Sequence, residues 1–125
     1  MAGPFIFIAN HKIKDGKIDG FKKYLNELAE FVEANEPRII HFGGYFSDDG
    51  TEVTNVQVHL DASSMEFHMQ VAGEKIGQAY EFLDGTSSIQ IYGTLNDAFL
   101  GMMRQVAGPD VPVIVKSDYS GFNRI

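Results

Sequence analysis

Hydrophobic and polar positions change period several times along this chain, and each change marks an element. Phe5, Ile6, Phe7 and Ile8 are apolar on both faces before the chain turns polar at Asn10. A short run of this kind predicts a buried strand within residues 5–14, closed by the turn Lys14-Asp15-Gly16. Ile18, Phe21, Leu25, Leu28 and Val32 then recur at steps of three and four, opposite Lys22, Lys23, Glu27 and Glu30. That spacing predicts an amphipathic helix, which Pro37 stops. Residues 38–46 and 51–60 read as a hairpin about Ser47-Asp48-Asp49-Gly50. Ser63 and Glu66 have the spacing of a capping box. The helix they open carries one stripe at Met65, Met69, Ala72, Ile76, Ala79, Tyr80 and Leu83. Phe67, Val71 and Phe82 make a second stripe, and Asp84-Gly85 is the expected end. Residues 88–94 read as a fourth strand. Asn96 then caps a helix bearing Phe99, Met102, Met103 and Val106, Gly108-Pro109 ends it, and residues 111–115 form a short fifth strand. This tail helix is expected to cover the second stripe.

The order is βαβ twice, joined by a hairpin, and it predicts an α+β, ferredoxin-like βαββαβ domain. Its antiparallel sheet carries both helices on one face. Residues 1–95 make up this domain, and 96–125 extend it by a helix and a strand. Alternation then assigns faces. On the third strand Val56, Val58 and Leu60 alternate with Asn55, Gln57 and His59, and the apolar set is placed under the helices. The second strand sets Ile40 and Phe42 against His41 and Tyr45. The fourth sets Ile89 and Ile91 against Gln90 and Tyr92, and the first contributes Asn10 or His11 by a register that the pattern leaves open. The far face so assigned is polar but almost uncharged. Unpaired polar groups are costly to bury, so neutral hydrogen-bonding side chains suit a surface that is covered yet binds polar atoms. A second copy of the chain is the expected cover, making a homodimer with a semi-polar chamber between two sheets.

Composition removes several alternatives. The 125 residues suit one domain. A net charge of −7 with ten Lys and Arg leaves no basic face for nucleic acid. With no cysteine, disulfides, thiolate metal sites and cysteine nucleophiles are excluded. No apolar run approaches the ~20 residues that span a bilayer, and the first apolar run lacks a basic leader. The expectation is a cytoplasmic protein away from membranes. Among His11, His41, His59 and His68 there is no HxH or HExxH spacing, so neither metal nor cofactor is expected. His59, His41 and His68 are the candidate bases, although His68, at the edge of a helical stripe, reads first as a packed histidine. Asn10, Tyr45, Asn55, Gln57, Gln90 and Tyr92 are the candidates for holding substrate oxygens, with Phe7 and Phe42 as apolar walls. Gly43-Gly44 suggests a bulge or a close backbone approach, and no serine lies in a GxSxG elbow.

The element order, the helix exit Glu33-Ala34-Asn35-Glu36-Pro37, and Val58-His59-Leu60-Asp61-Ala62 leading into the helix that carries His68 resemble the antibiotic-biosynthesis-monooxygenase superfamily. The resemblance covers roughly residues 5–95 and implies a dimeric α+β barrel. It also implies a function: cofactor-independent oxygenation of a small phenolic, quinol-like or polyketide-type compound, with Asn10 and His68 at positions that matter in the family. The alternative is a non-catalytic dimeric module that binds a small molecule or is purely structural. Many family members use a pocket tryptophan, and this chain has none. Haem degradation is argued against by that absence and by Gln78 lying where a histidine is expected.

Overall fold

The computed structural model describes residues 4–124. Strand β1 (Phe5–Ile13) leads through a turn into α1 (Ile18–Asn35), then β2 (Ile39–Phe46) and β3 (Glu52–His59). Helix α2 (Ala62–Gly77) runs on into a 3₁₀ turn (Gln78–Glu81). It is followed by β4 (Leu83–Tyr92), α3 (Asp97–Ala107) and β5 (Val113–Lys116). The sheet order is β2-β3-β1-β4-β5, antiparallel at every boundary except β4–β5, which is parallel. This is the expected α+β, ferredoxin-like arrangement with one strand added to its edge.

Local chemistry sets the helix starts. Asp61, rather than Ser63, caps α2: its carboxylate accepts from the Ser64 amide at 3.0 Å, satisfying one of the orphan donors of the first turn. Asn96 does the same for α3 through the Phe99 amide at 2.7 Å. At the far end of α2, the hydroxyl of half-buried Tyr24 donates to the Lys75 carbonyl at 2.6 Å and ties α1 to α2. Burial pushes that phenol up to about 12, so it serves only as a neutral donor.

Pairing fixes which face of each strand meets the helices, and it corrects the assignment by alternation. Phe5, Phe7 and Ala9 sit in the core with Met65, Ile89, Ile91, Phe99 and Met103. Their partners on β3 are His59, Gln57 and Asn55. The polar row of β3 therefore lies under the helices, and Val56 and Val58 point away beside Ile8 and Ile6. The alternation was real but its sign was reversed, because both faces of this sheet carry apolar residues.

Two further boundaries differ from expectation. Asp84-Gly85 lies inside β4, where the register against β1 shifts twice, between Asn10 and His11 and between His11 and Ile13. Gly85, at φ +101°, takes the left-handed conformation that this irregular stretch requires. The tail helix α3 packs through Phe99 and Met103 onto the Phe5–Phe7–Met65 cluster and not onto the second stripe of α2. Of that stripe, Phe67 stays 40% exposed, while Phe82 packs edge-on against Phe21 and at a tilt against Tyr24, both on α1.

Candidate active site

Between the sheet and the helices of a single chain lies a cavity of about 130 Å³. Its walls are largely apolar, with Phe7 and Phe42 among them as expected, together with Phe21, Leu28, Met69 and Met103. His68, Gln57, Asn55, His11 and Thr86 are among its polar lining residues. A mostly apolar lining with a few converging polar groups is the usual chemistry of a small-molecule site, and this cavity is smaller than the roughly 300–1,000 Å³ such sites commonly have.

One wall is a chain of hydrogen bonds whose direction can be worked out from its end. The Gly43 backbone oxygen can only accept, so Asn55 Nδ2 donates to it, at 3.1 Å. Asn55 Oδ1 is then the acceptor for Gln57 Nε2 at 2.6 Å, and Gln57 Oε1 accepts from His59 Nε2–H at 2.9 Å. His59 Nδ1 is left as an acceptor and takes the Ser64 hydroxyl hydrogen at 2.7 Å. His59 is thus held as the neutral Nε2–H tautomer with both nitrogens committed. Burial, followed by the nearby His68 and Arg38, brings its pKa down to about 4. The second hydrogens of Gln57 Nε2 and Asn55 Nδ2 have no acceptor among the described residues, and both side chains line the cavity. The wall therefore presents donors.

Opposite it stands His68. Its Nδ1 meets the Glu36 carboxylate at 2.8 and 2.9 Å, and the two side chains are 1% and 2% exposed. No hydrogen bond among the described residues uses His68 Nε2. Among those residues no sealed side-chain nitrogen or oxygen lacks a partner, so Nε2 is the atom open to the cavity that His68 lines. Phe42 and His59 flank the ring, each with a centroid separation of 5.9 Å. Glu36 went unnoticed in the sequence reading as a site residue. It stands directly before the helix-breaking Pro37, where a carboxylate ordinarily reads as solvated, and nothing local signals that the chain folds it inward.

The remaining candidates are not at the cavity. Asn10, Gln90 and Tyr92 lie on the outer face of the sheet, as do His41 and Tyr45. There Asn10 bridges three strands, accepting from Thr54 at 2.6 Å and donating to Ser88 at 3.0 Å. His41 bonds the exposed Tyr45 hydroxyl at 2.9 Å and stacks on its ring. The cavity lined by His68, Gln57 and Asn55 lies within one chain on the helix side of the sheet, while Asn10, Gln90, Tyr92, His41 and Tyr45 lie on the face expected to line a chamber between two copies. His11, which the sequence left as an alternative to Asn10, is the polar β1 residue that reaches the cavity, beside Phe7 and Ala9.

No family model and no curated protein matches the chain. Solved structures do. MupZ from Pseudomonas fluorescens superposes with a TM-score of 0.81 at 18% identity, covering 99% of this chain and 91% of its own. A protein of Nitrosomonas europaea named "putative antibiotic biosynthesis monooxygenase" gives 0.65 at 18% identity, over 78% of this chain and 95% of its own. A protein of the same name from Caulobacter crescentus CB15 gives 0.61 at 20% identity, over 76% and 92%. The fold is that of the antibiotic biosynthesis monooxygenases. The likeness to MupZ takes in α3 and β5 as well, since it spans nearly the whole chain. Among the described residues no cluster of three or more His, Asp or Glu could hold a metal ion, and no helix is long and apolar enough to cross a membrane.

Proposed function

We propose that this chain is a cofactor-independent oxygenase of small phenolic or quinol-like compounds, with His68 as its base. The observation that carries the reading is the buried Glu36–His68 pair, whose free nitrogen opens into an apolar cavity. A carboxylate on Nδ1 fixes the tautomer that leaves Nε2 with its lone pair, and it stabilises the imidazolium that forms when Nε2 takes a proton. Gln57 and Asn55 offer N–H groups to the oxygen on which the negative charge then rests. An electron-rich phenolate can itself reduce dioxygen, so the protein need only bind, orient and deprotonate it. For an anthrone the balance is one dioxygen in: one oxygen atom becomes the new carbonyl, and the other leaves as water with the two methylene hydrogens. His59, with both nitrogens bonded, orders the amide wall and is not the base in this scheme; His41 stands on the opposite face.

The test is oxygen uptake with anthrones and naphthoquinols. The wild type is expected to turn over, His68→Ala to fall by about 10²- to 10⁴-fold, and Glu36→Gln to fall in the same sense while binding is largely kept. Tight binding without turnover in the wild type would leave the second reading, a binding module. Turnover unaffected in His68→Ala would remove the base assigned here.

We also propose that a second copy covers the outer face of the sheet. Ile6, Ile8, Val56 and Val58 form its half-buried apolar centre, and Asn10, Tyr45, Ser88, Gln90 and Tyr92 form a neutral rim. On a chain of net charge −7, a face without charge at its centre lets two copies meet without opposing like charges.

A further inference from the structure

His11 and Thr86 are half-buried polar groups that the proposed reaction leaves unused, and they reach the cavity at the end remote from His68. Their joint placement depends on the irregularity in β4. Ile89 pairs with Ala9 on the helix side and Ser88 with Asn10 on the outer side, so simple alternation would bring Ser87 inward and send Thr86 out. The register shift leaves Ser87 unpaired and exposed and sets Thr86 opposite His11 on the inner face. Bulges next to sites commonly re-aim a side chain in this way. The Thr86 hydroxyl then bonds His11 Nδ1 at 2.8 Å. No hydrogen bond among the described residues uses His11 Nε2, and no sealed side-chain nitrogen among them is left without a partner.

Distance along the strands separates this pair from the donor wall. Asn55 stands opposite Ala9 and Gln57 opposite Phe7. At a rise of about 3.3 Å per residue, His11 lies roughly 7 Å beyond the Asn55 row and roughly 13 Å beyond the Gln57 row. The rest of the lining is largely apolar, with Leu28, Met69, Ile76 and Met103 among it.

We propose that His11, held by Thr86, is a second polar anchor, so that the cavity takes an elongated, mostly apolar compound with an oxygen function at each end. One oxygen meets Gln57, Asn55 and His68; the other meets His11 Nε2. Burial keeps the His11 pKa below the ordinary histidine value, so the ring is neutral at pH 7 and can donate to or accept from a hydroxyl or carbonyl without needing an anion. The proposal rests on the reading of this cavity as the ligand site, but not on the oxygenation chemistry.

Titration calorimetry with a matched pair of probes tests it: a naphthol, and the naphthalenediol with hydroxyls at opposite ends of the ring. The wild type is expected to bind the diol about five- to tenfold more tightly, as one added hydrogen bond implies. His11→Leu should abolish that preference while changing naphthol affinity less than about twofold, and His11→Gln should restore part of it. Thr86→Val, which frees the His11 ring, should weaken the preference and serves if His11→Leu does not fold. A diol preference intact in His11→Leu, or an equal loss for both probes, would overturn the anchor and leave the cavity reading standing. Failure of the wild type to bind either probe would overturn both.

Discussion

Protonating His59 would require breaking the amide chain that runs from Ser64 to the Gly43 carbonyl, because both ring nitrogens are already committed. The unfolded chain has no such restriction and titrates near the ordinary value of 6.5, whereas the folded chain titrates at about 4. Above pH 6.5 both states are neutral at this residue and its contribution to stability is complete. Between pH 6.5 and 4 the unfolded state takes up a proton that the folded state does not, so stability falls as pH falls. Below pH 4 this group contributes no further change. The full difference is about 3 kcal/mol. Urea unfolding of the wild type across that window should show the decline, and His59→Gln should flatten it; an equally steep decline in the mutant would assign the loss to other groups. The sequence shows that Asn55, Gln57 and His59 share one face, which is enough to group them. Their function as a directional chain was not legible there, since it depends on a backbone carbonyl across the hairpin and a serine in the next helix.

At the scale of elements, the approach of α1 to β2 is closest at Gly44, where a Cβ would collide with the Leu25 side chain. Gly44→Ala is expected to cost about 1–3 kcal/mol in urea unfolding, as overpacking does; an unchanged midpoint would mean that Leu25 swings aside freely. The pairing of glycines in Gly43-Gly44 announced a close approach in advance, and periodicity located α1, the hairpin and α3 well. Two features escaped it. The face of β3 was inverted because Val56 and Val58 are as apolar as a core strand yet look outward, so hydrophobicity alone could not give the sign; only the pairing of His59 with Phe5 does. The beginning of β4 was hidden because Asp84-Gly85 has the composition of a helix stop, while the structure uses it as a strand irregularity.

For the whole molecule, the inward polar row of β3 separates pairing from chemistry. The ferredoxin-like layering was readable from element order, whereas the location of the chamber was not, because it follows from which face of one strand points inward. The outer face remains the surface proposed for pairing. Ile8→Lys places a charge at its centre, and light scattering after size-exclusion chromatography should then report a folded monomer where the wild type is a dimer. A wild-type monomer at micromolar concentration would remove the proposed partner and leave the cavity untouched. Since all the residues that line the chamber belong to a single polypeptide, occupancy is expected at one guest per chain whatever the assembly. Each copy is then a complete vessel, and drift in the seam between copies can alter the company the chain keeps without rewriting what happens inside it.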